Sequence, residues 1–425
     1  MIGRMLPNHN SFLPRASHTS ECPRRAIFLR PRLDVSGADR LVVDAAIALQ
    51  SRGWQTEVAV NFFNPAWTQP EVSSGQVKVA AFGGIARWWV GGRVRALSAL
   101  ASQWLLLWRL RRRGPAPDLF ICDILPHAAT AIRRWFPDSA ILVYCHFPDR
   151  LGVAARGPYA LYRAAIGWQE DRGMMAAHRI LVNSRYTADA VRQTFPFLPA
   201  DRLAIVWPGV RLPSAPIRGA SPVGAAAPKR TFLSVARFDP RKGLPLAIDT
   251  FAEFRVRIGE PEFARCRLVL AGGYDRGLPE VRALVERLQA QASARGVAAQ
   301  VELRFDPSPE ALETLWREAF AFVHCAPAEH FGIVLLEAMA HGLPVLAVDF
   351  AGPREIVADG ITGALRAPHA GEFAEVLANW TRAPERAAVL GAAGRARAES
   401  EFSLDRFAAE FATQAEMALA SGPSP

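Results

Sequence analysis

The chain has 425 residues, 50% hydrophobic and 21% charged, which excludes a disordered chain and predicts a soluble globular protein of two domains or more. Lys and Arg number 50 against 40 Asp and Glu, a net charge of +10, but that charge is spread along the chain with no zinc-finger or RNP motif, so no nucleic-acid partner is expected. The cysteines, Cys22, Cys122, Cys145, Cys266 and Cys325, are odd in number and far apart, which fits a reducing compartment and offers no metal-ligand spacing.

Residues 1–25 lack the apolar run of a signal peptide and read as a disordered tail. From Arg25 to about Val206, strand-like runs ("RAIFLR", "TEVAVNFF", "DLFICDIL", "AILVYCHF", "RILVNS", "LAIVWPGV") alternate with helix-like segments such as "ADRLVVDAAIALQSRG". That alternation predicts parallel βαβ units in a first domain over 26–207. Within it, residues 87–114 predict a helix in which Trp and Leu alternate with Arg. Its apolar core from Leu97 to Leu110 is too short to span a bilayer. Such a helix either lies in an anionic membrane surface or packs on its own domain with its arginines solvated.

Residues 208–229 are rich in Pro, Gly, Ala and Ser and read as a linker. The alternation then restarts over 230–400: "RTFLSVARF", a helix from Leu244, "RCRLVLAGG", a helix over 279–294, "VELRF", a helix from Pro309, "AFVHCAP", "EHFGIVLLEAM", "PVLAVDF" and "EIVADG". Residues 401–425 predict a helix able to cross back to the first domain, and a tail. The fold expected is α/β, two doubly wound domains joined by a hinge. Ligands of such sheets sit at the carboxyl ends of the strands, so the cleft between domains is the expected site.

Four loops after predicted strands converge on that cleft. Gly37 sits between a strand and a helix, where a missing side chain lets phosphate approach the helix amides; the plainer reading is a turn residue. His146 directly follows a buried strand, a place from which it can donate to a sugar hydroxyl or a developing charge. In "SVARFDPRKG", Arg237 leaves a strand end and Lys242 opens the next helix, so two cations can grip one diphosphate unless both are solvated surface charge. The only other lysines are Lys78 and Lys229, so a Lys here is unusual in a chain that otherwise uses Arg.

The fourth loop is "EHFGIVLLEAM". With a helix starting near Gly332, Glu329 lies in the loop ahead of it and Glu337 inside it, and the free amides of Phe331, Gly332, Ile333 and Val334 point at an anion. Two carboxylates beside a phosphate site suit a nucleotide sugar, one accepting from the sugar and one from the ribose. Buried acids without such partners would be costly.

The segments "ARFDPRKG", "LAGGYD" and "EHFGIVLLEAM…GLPVLAVDFAGPREIV" resemble the retaining family 4 glycosyltransferases of the GT-B fold, two Rossmann-like domains facing a cleft. "SGADRLVVDAAIALQSRG", "VYCHFPDRL" and "LAGGYDRGLPE" resemble, more narrowly, the α-1,3/1,6-mannosyltransferases of lipid-linked oligosaccharide and N-glycan precursor synthesis. This family usually has two glycines then Ala-Glu where the present chain has Ser36 and Asp39.

What the resemblance implies is residue-specific. Arg237 and Lys242 hold the donor diphosphate, Glu329 bonds the transferred sugar, and the amides of Phe331 to Val334 contact sugar and phosphate. Glu337 takes the ribose hydroxyls, Gly37 admits the phosphate, His146 lies beside the reacting sugar, and the loop from Arg304 to Pro307 meets the base. No metal or other cofactor is expected, GDP-mannose being a donor substrate. The expected acceptor is a dolichyl- or polyprenyl-diphosphate-linked glycan, met at the cytoplasmic face of a membrane, the endoplasmic reticulum in a eukaryote or the inner membrane in a bacterium. The alternatives are a family 4 transferase using another nucleotide sugar in bacterial lipopolysaccharide or exopolysaccharide assembly, and a catalytically silent membrane-surface or nucleic-acid-binding protein.

Overall fold

A computed structural model describes residues 23–33, 37–65, 68–84, 95–151, 157–213 and 230–422. Most of the 1–25 tail and of the 208–229 linker, and residues 85–94 before the Trp-rich helix, lie outside the described residues.

The first half forms a seven-stranded parallel sheet of β1 (Arg25–Leu33), β2 (Gln55–Phe63), β3 (Lys78–Ala81), β4 (Leu119–Asp123), β5 (Ala140–Cys145), β6 (Arg179–Val182) and β7 (Leu203–Ile205), in the order β3-β2-β1-β4-β5-β6-β7. The second half forms a six-stranded parallel sheet of β8 (Arg230–Val235), β9 (Cys266–Gly272), β10 (Val301–Phe305), β11 (Ala319–His324), β12 (Val345–Val348) and β13 (Gly363–Arg366), in the order β10-β9-β8-β11-β12-β13. Every residue of β4, β5, β6 and β12 is buried, as expected of strands covered by helices on both faces. Each sheet accordingly has two apolar cores, one per face.

Both strand orders reverse direction once, between β1 and β4 in the first sheet and between β8 and β11 in the second. These are the switch points where the loops part and leave a crevice. Helix Leu404–Ala420 returns to the first sheet: Phe407, Phe411 and Ala415 join its core, and the ring of Phe411 stacks 6.3 Å from Phe28. Two chain segments therefore cross between the halves, and they touch, Val210 bridging to Ser403.

Two elements differ from the sequence reading. The apolar "EIVADG" is no strand; it is the end of helix Ala351–Ile356 and a turn, and the last strand is the following Gly363–Arg366. Strand β3, with exposed ends, lies at the edge of its sheet, where an edge position removes the continuous apolar signal. The Trp-rich helix is described from Arg95 to Arg113, and its inner face packs Leu106, Leu107 and Leu110 into the first domain's core.

Candidate active site

In the second sheet the site starts from β8. Beyond it, Asp239 accepts the amide of Arg241 at 2.9 Å and caps a single turn, Pro240–Lys242. The Arg241 side chain bonded to Asp239 holds that carboxyl at about 2. This tight turn presents Lys242, whose Nζ lies 2.6 Å from Glu329 Oε2. Arg237 stays largely exposed at the rim, 3.8 Å from Asp239.

Glu329 comes from the loop after β11, its carbonyl accepting the amide of Gly352 at 3.1 Å. Burial opposes its charge, yet His324, 3.5 Å away, and Lys242 together hold the carboxyl down at about 2. The helix that follows runs from Ile333 to Ala340, entered through Gly332 in the left-handed conformation (φ 94°) with no side-chain cap. Its first amides thus lack both an intrahelical acceptor and a capping side chain and remain free for an anion. Phe331 turns its ring into the core beside Phe402, so only its backbone is available to a ligand.

Glu337 sits one turn into that helix. Its carboxyl group has no hydrogen-bond or ion-pair partner among the described residues, while its backbone carbonyl accepts from His341. Burial pushes its carboxyl up to about 7, and the charge of Arg40, reaching across from the first domain, is the one influence acting against this. Arg40 is itself fixed by Asp44 and by Glu71 at 2.9 Å.

The first domain brings its own helix N-terminus to the same place. Helix Gly37–Gln50 starts after β1, and a Cβ on Gly37 would come 3.0 Å from the Ile333 side chain. The two helix starts therefore meet across the cleft, and glycine is what permits the approach. Ser36 and residues 34–35 lie outside the described residues.

His146, following β5, is oriented by a group that the sequence reading missed. Its Nε2 lies 2.7 Å from Oδ1 of Asp123, the buried last residue of β4. The other oxygen of Asp123 accepts from Arg30, and Arg30 also pairs with Asp39 at 2.9 Å. Burial works against the Asp123 charge, but Arg30 and then His146 outweigh it and hold its carboxyl below the usual range. A neutral ring that donates through Nε2 keeps Nδ1 as its acceptor. Asp39, in the first turn of helix Gly37–Gln50, is thus engaged by Arg30. The signal for Asp123 was present: "DLFICD" ends on an acid at the same strand-end position that singled out His146.

Next to His146, Phe147 stacks on His330 of the second domain, ring centroids 3.9 Å apart and planes within 8°. Glu355 of the second domain accepts the amides of Arg185 and Tyr186 at 2.9 and 3.0 Å, a further contact across the cleft. Of the expected 304–307 loop, Arg304 and Phe305 belong to the end of β10; the turn after it holds Asp306 (φ 47°), which accepts the amide of Tyr274 at 2.8 Å, while Phe305 packs 4.6 Å from the Tyr274 ring. All four predicted loops, with Gly37, His146, Lys242, Glu329 and Glu337, thus face one crevice, and Arg237 stands at its edge.

The fold is shared with sucrose-phosphate synthase from Thermosynechococcus elongatus (TM-score 0.76, 18% identity, 93% of this chain and 99% of that one). It is also shared with Anabaena HepE, solved with UDP-glucose (TM-score 0.70, 18% identity, 92% and 98%). Residues 35–212 match the family model for Glycosyltransferase Family 4, and 221–397 that for Glycosyl transferases group 1. Fold and site together define a glycosyltransferase of the GT-B type. The Alpha-1,3/1,6-mannosyltransferase ALG2 of Mus musculus is 31% identical over 393 residues, covering 90% of this chain and 93% of that protein. The chain belongs to the α-1,3/1,6-mannosyltransferase family, a family of hexosyltransferases.

Proposed function

We propose that the chain transfers mannose, with retention, from GDP-mannose to a lipid-diphosphate-linked glycan through an α-1,3 linkage and, in a second round, an α-1,6 linkage. The observation that carries the donor half is the meeting of Lys242, Glu329 and the two helix starts at Gly37 and Ile333, with the Glu337 carboxyl unpartnered one turn further in. A diphosphate placed there is met by Lys242, by Arg237 and by the amides of both helices, which stabilise the charge that builds on it as it leaves. Glu329 accepts from hydroxyls of the mannose and Glu337 from those of the ribose. The loop at Arg304 to Pro307 receives the base.

In the chemical step the bond from the anomeric carbon to the diphosphate oxygen breaks and an oxocarbenium-like sugar forms. The acceptor hydroxyl attacks the same face, and its proton passes to the departing phosphate oxygen. His146, with Nε2 fixed on Asp123, lies on the acceptor side where it can bond a sugar hydroxyl. We assign the cationic and amide groups the task of balancing the diphosphate, with no further cofactor, and place the enzyme peripherally at the cytoplasmic face of a membrane.

The test is thermal stabilisation of the pure protein by GDP-mannose, UDP-glucose and UDP-N-acetylglucosamine. Stabilisation by GDP-mannose above the others is expected. Response to uridine donors alone would replace the mannosyl reading with that of a transferase using another nucleotide sugar. Response to none would remove the transferase reading.

A further inference from the structure

Helix Pro158–Ala176 has its polarity inverted. It turns Ile166, Gly167, Glu170, Gly173 and Met174 inward. The inner packing is close, since a Cβ on Gly173 would come 2.2 Å from the Pro126 carbonyl oxygen. An acid and two glycines are therefore buried, Glu170 accepting the Asp149 amide at 2.8 Å. The outward face is Leu161, Ala164, Ala165, Trp168, Arg172 and Met175.

Leu161, Trp168 and Met175 are 78%, 55% and 56% exposed. Spaced by seven, they drift only about 20° per step and form one stripe along the helix. The single charge on this face, Arg172, lies over the Trp168 ring at 4.7 Å. A surface helix of a globular protein keeps its polar side outward, and a contiguous apolar face of this kind marks a contact surface.

The neighbouring helices say what covers it. Helices 95–113, 128–135 and 158–176 pack side by side in that order, joined in part by Trp104 set edge-on to Trp135 at 5.5 Å. Trp104 and Trp108 are exposed as well, and Arg112 lies 3.9 Å over Trp108. The three helices carry nine arginines and two acids. Of those acids Glu170 is buried and Asp171 is paired with Arg150. Apolar and aromatic residues rimmed by arginine complement a layer of hydrocarbon beneath anionic headgroups, whereas a second copy of the same face would bring cations against cations.

We infer that this three-helix face seats the first domain on a lipid bilayer bearing anionic headgroups, with Leu161, Trp168 and Met175 entering the headgroup boundary. The inference deepens the proposed function, on which it rests for the acceptor being lipid-linked. Arg163, two residues from Leu161, holds Asp149 at 2.7 Å, three residues beyond His146. The stripe thus starts beside the acceptor side of the cleft, where a membrane-borne substrate would enter.

The experiment is flotation of the full chain with vesicles of phosphatidylcholine alone and with roughly one-third phosphatidylglycerol. The wild type floats with the anionic vesicles, and Trp168→Glu and Leu161→Glu reduce the floated fraction at least about tenfold. Val256→Glu, changing a residue 80% exposed on the second domain, leaves it unchanged. A wild type that stays at the bottom, or a Trp168→Glu chain that floats equally, overturns the inference; so does a concentration-dependent dimer that Trp168→Glu dissolves, because a second copy would then own the face. Thermal response to GDP-mannose is unaffected by Trp168→Glu, so failure of the donor reading and failure of the membrane face are separately visible.

Discussion

Lys242 Nζ rests 2.6 Å from Glu329 Oε2, so the cation proposed to meet the diphosphate is paired with the acid proposed to meet the sugar. On the proposed function, donor binding is expected to convert this pair into a bridge in which the ammonium faces phosphate and the carboxylate faces hydroxyls. Loss of one charge-assisted contact is worth roughly 1.5–3 kcal/mol, so Lys242→Ala is expected to weaken GDP-mannose binding about 10- to 100-fold by calorimetry while the fold persists.

The same pair carries a pH signature. The Glu329 carboxyl lies at about 2, below its ordinary 4.5, so its stabilisation is complete above about pH 4.5 and is lost as pH falls towards 2. This contribution is about 3 kcal/mol at most. In thermal melts over that window, the acid destabilisation of Glu329→Gln should be shallower than that of the wild type.

Glu337 works in the opposite sense. Raised to about 7, it holds a proton that the unfolded chain releases from about pH 4.5 upwards, so the folded state loses stability between 4.5 and 7 and bears the full penalty above 7. Glu337→Gln should therefore melt a few degrees above the wild type at about pH 8 and level with it near pH 4.5. Donor binding should move the other way. Wild-type affinity rises from about pH 6 to about pH 8 as the carboxylate forms to accept ribose hydroxyls, and the variant is weaker and flat.

Asp123 is expected to act through His146, whose ring it holds at 2.7 Å. Asp123→Asn preserves size but removes the charged acceptor, and kcat should fall about 100-fold, with the KM for GDP-mannose nearly unchanged. The discriminating measurement is the double variant Asp123→Asn with His146→Ala. If Asp123 serves by orienting the ring, the double variant is no slower than His146→Ala alone.

Gly37 faces Ile333 with room for no side chain beyond a tight methyl. Gly37→Val should raise the KM for the donor about tenfold by holding the helix starts apart, and adding Ile333→Ala should recover part of that loss, a coupling expected only of residues in contact.

The sequence exposes the parallel sheets because fully buried strands such as "AILVYC" and "VLAV" are unbroken apolar runs. It also points to the candidate site, because strand ends and helix starts are where unpaired polar groups gather, and Lys242 and Glu329 stand in the loops beside such ends. It conceals the Arg30–Asp123–Asp39 cluster: an arginine inside a strand and an acid in a first helical turn both look solvated until the fold brings β1 and β4 together. The outer face of helix 158–176 is hidden for a different reason. Apolar residues on both sides leave no period to read, so only the packed structure shows which side faces out.

Transfer itself is the most direct test: labelled GDP-mannose is incubated with a polyprenyl-diphosphate-linked glycan, and the product linkage is read by α-mannosidase digestion. Mannose added in the α configuration, from GDP-mannose in preference to uridine donors, and abolished by Lys242→Ala, is the result predicted. A product of β configuration, or transfer from UDP-glucose or UDP-N-acetylglucosamine alone, would contradict it.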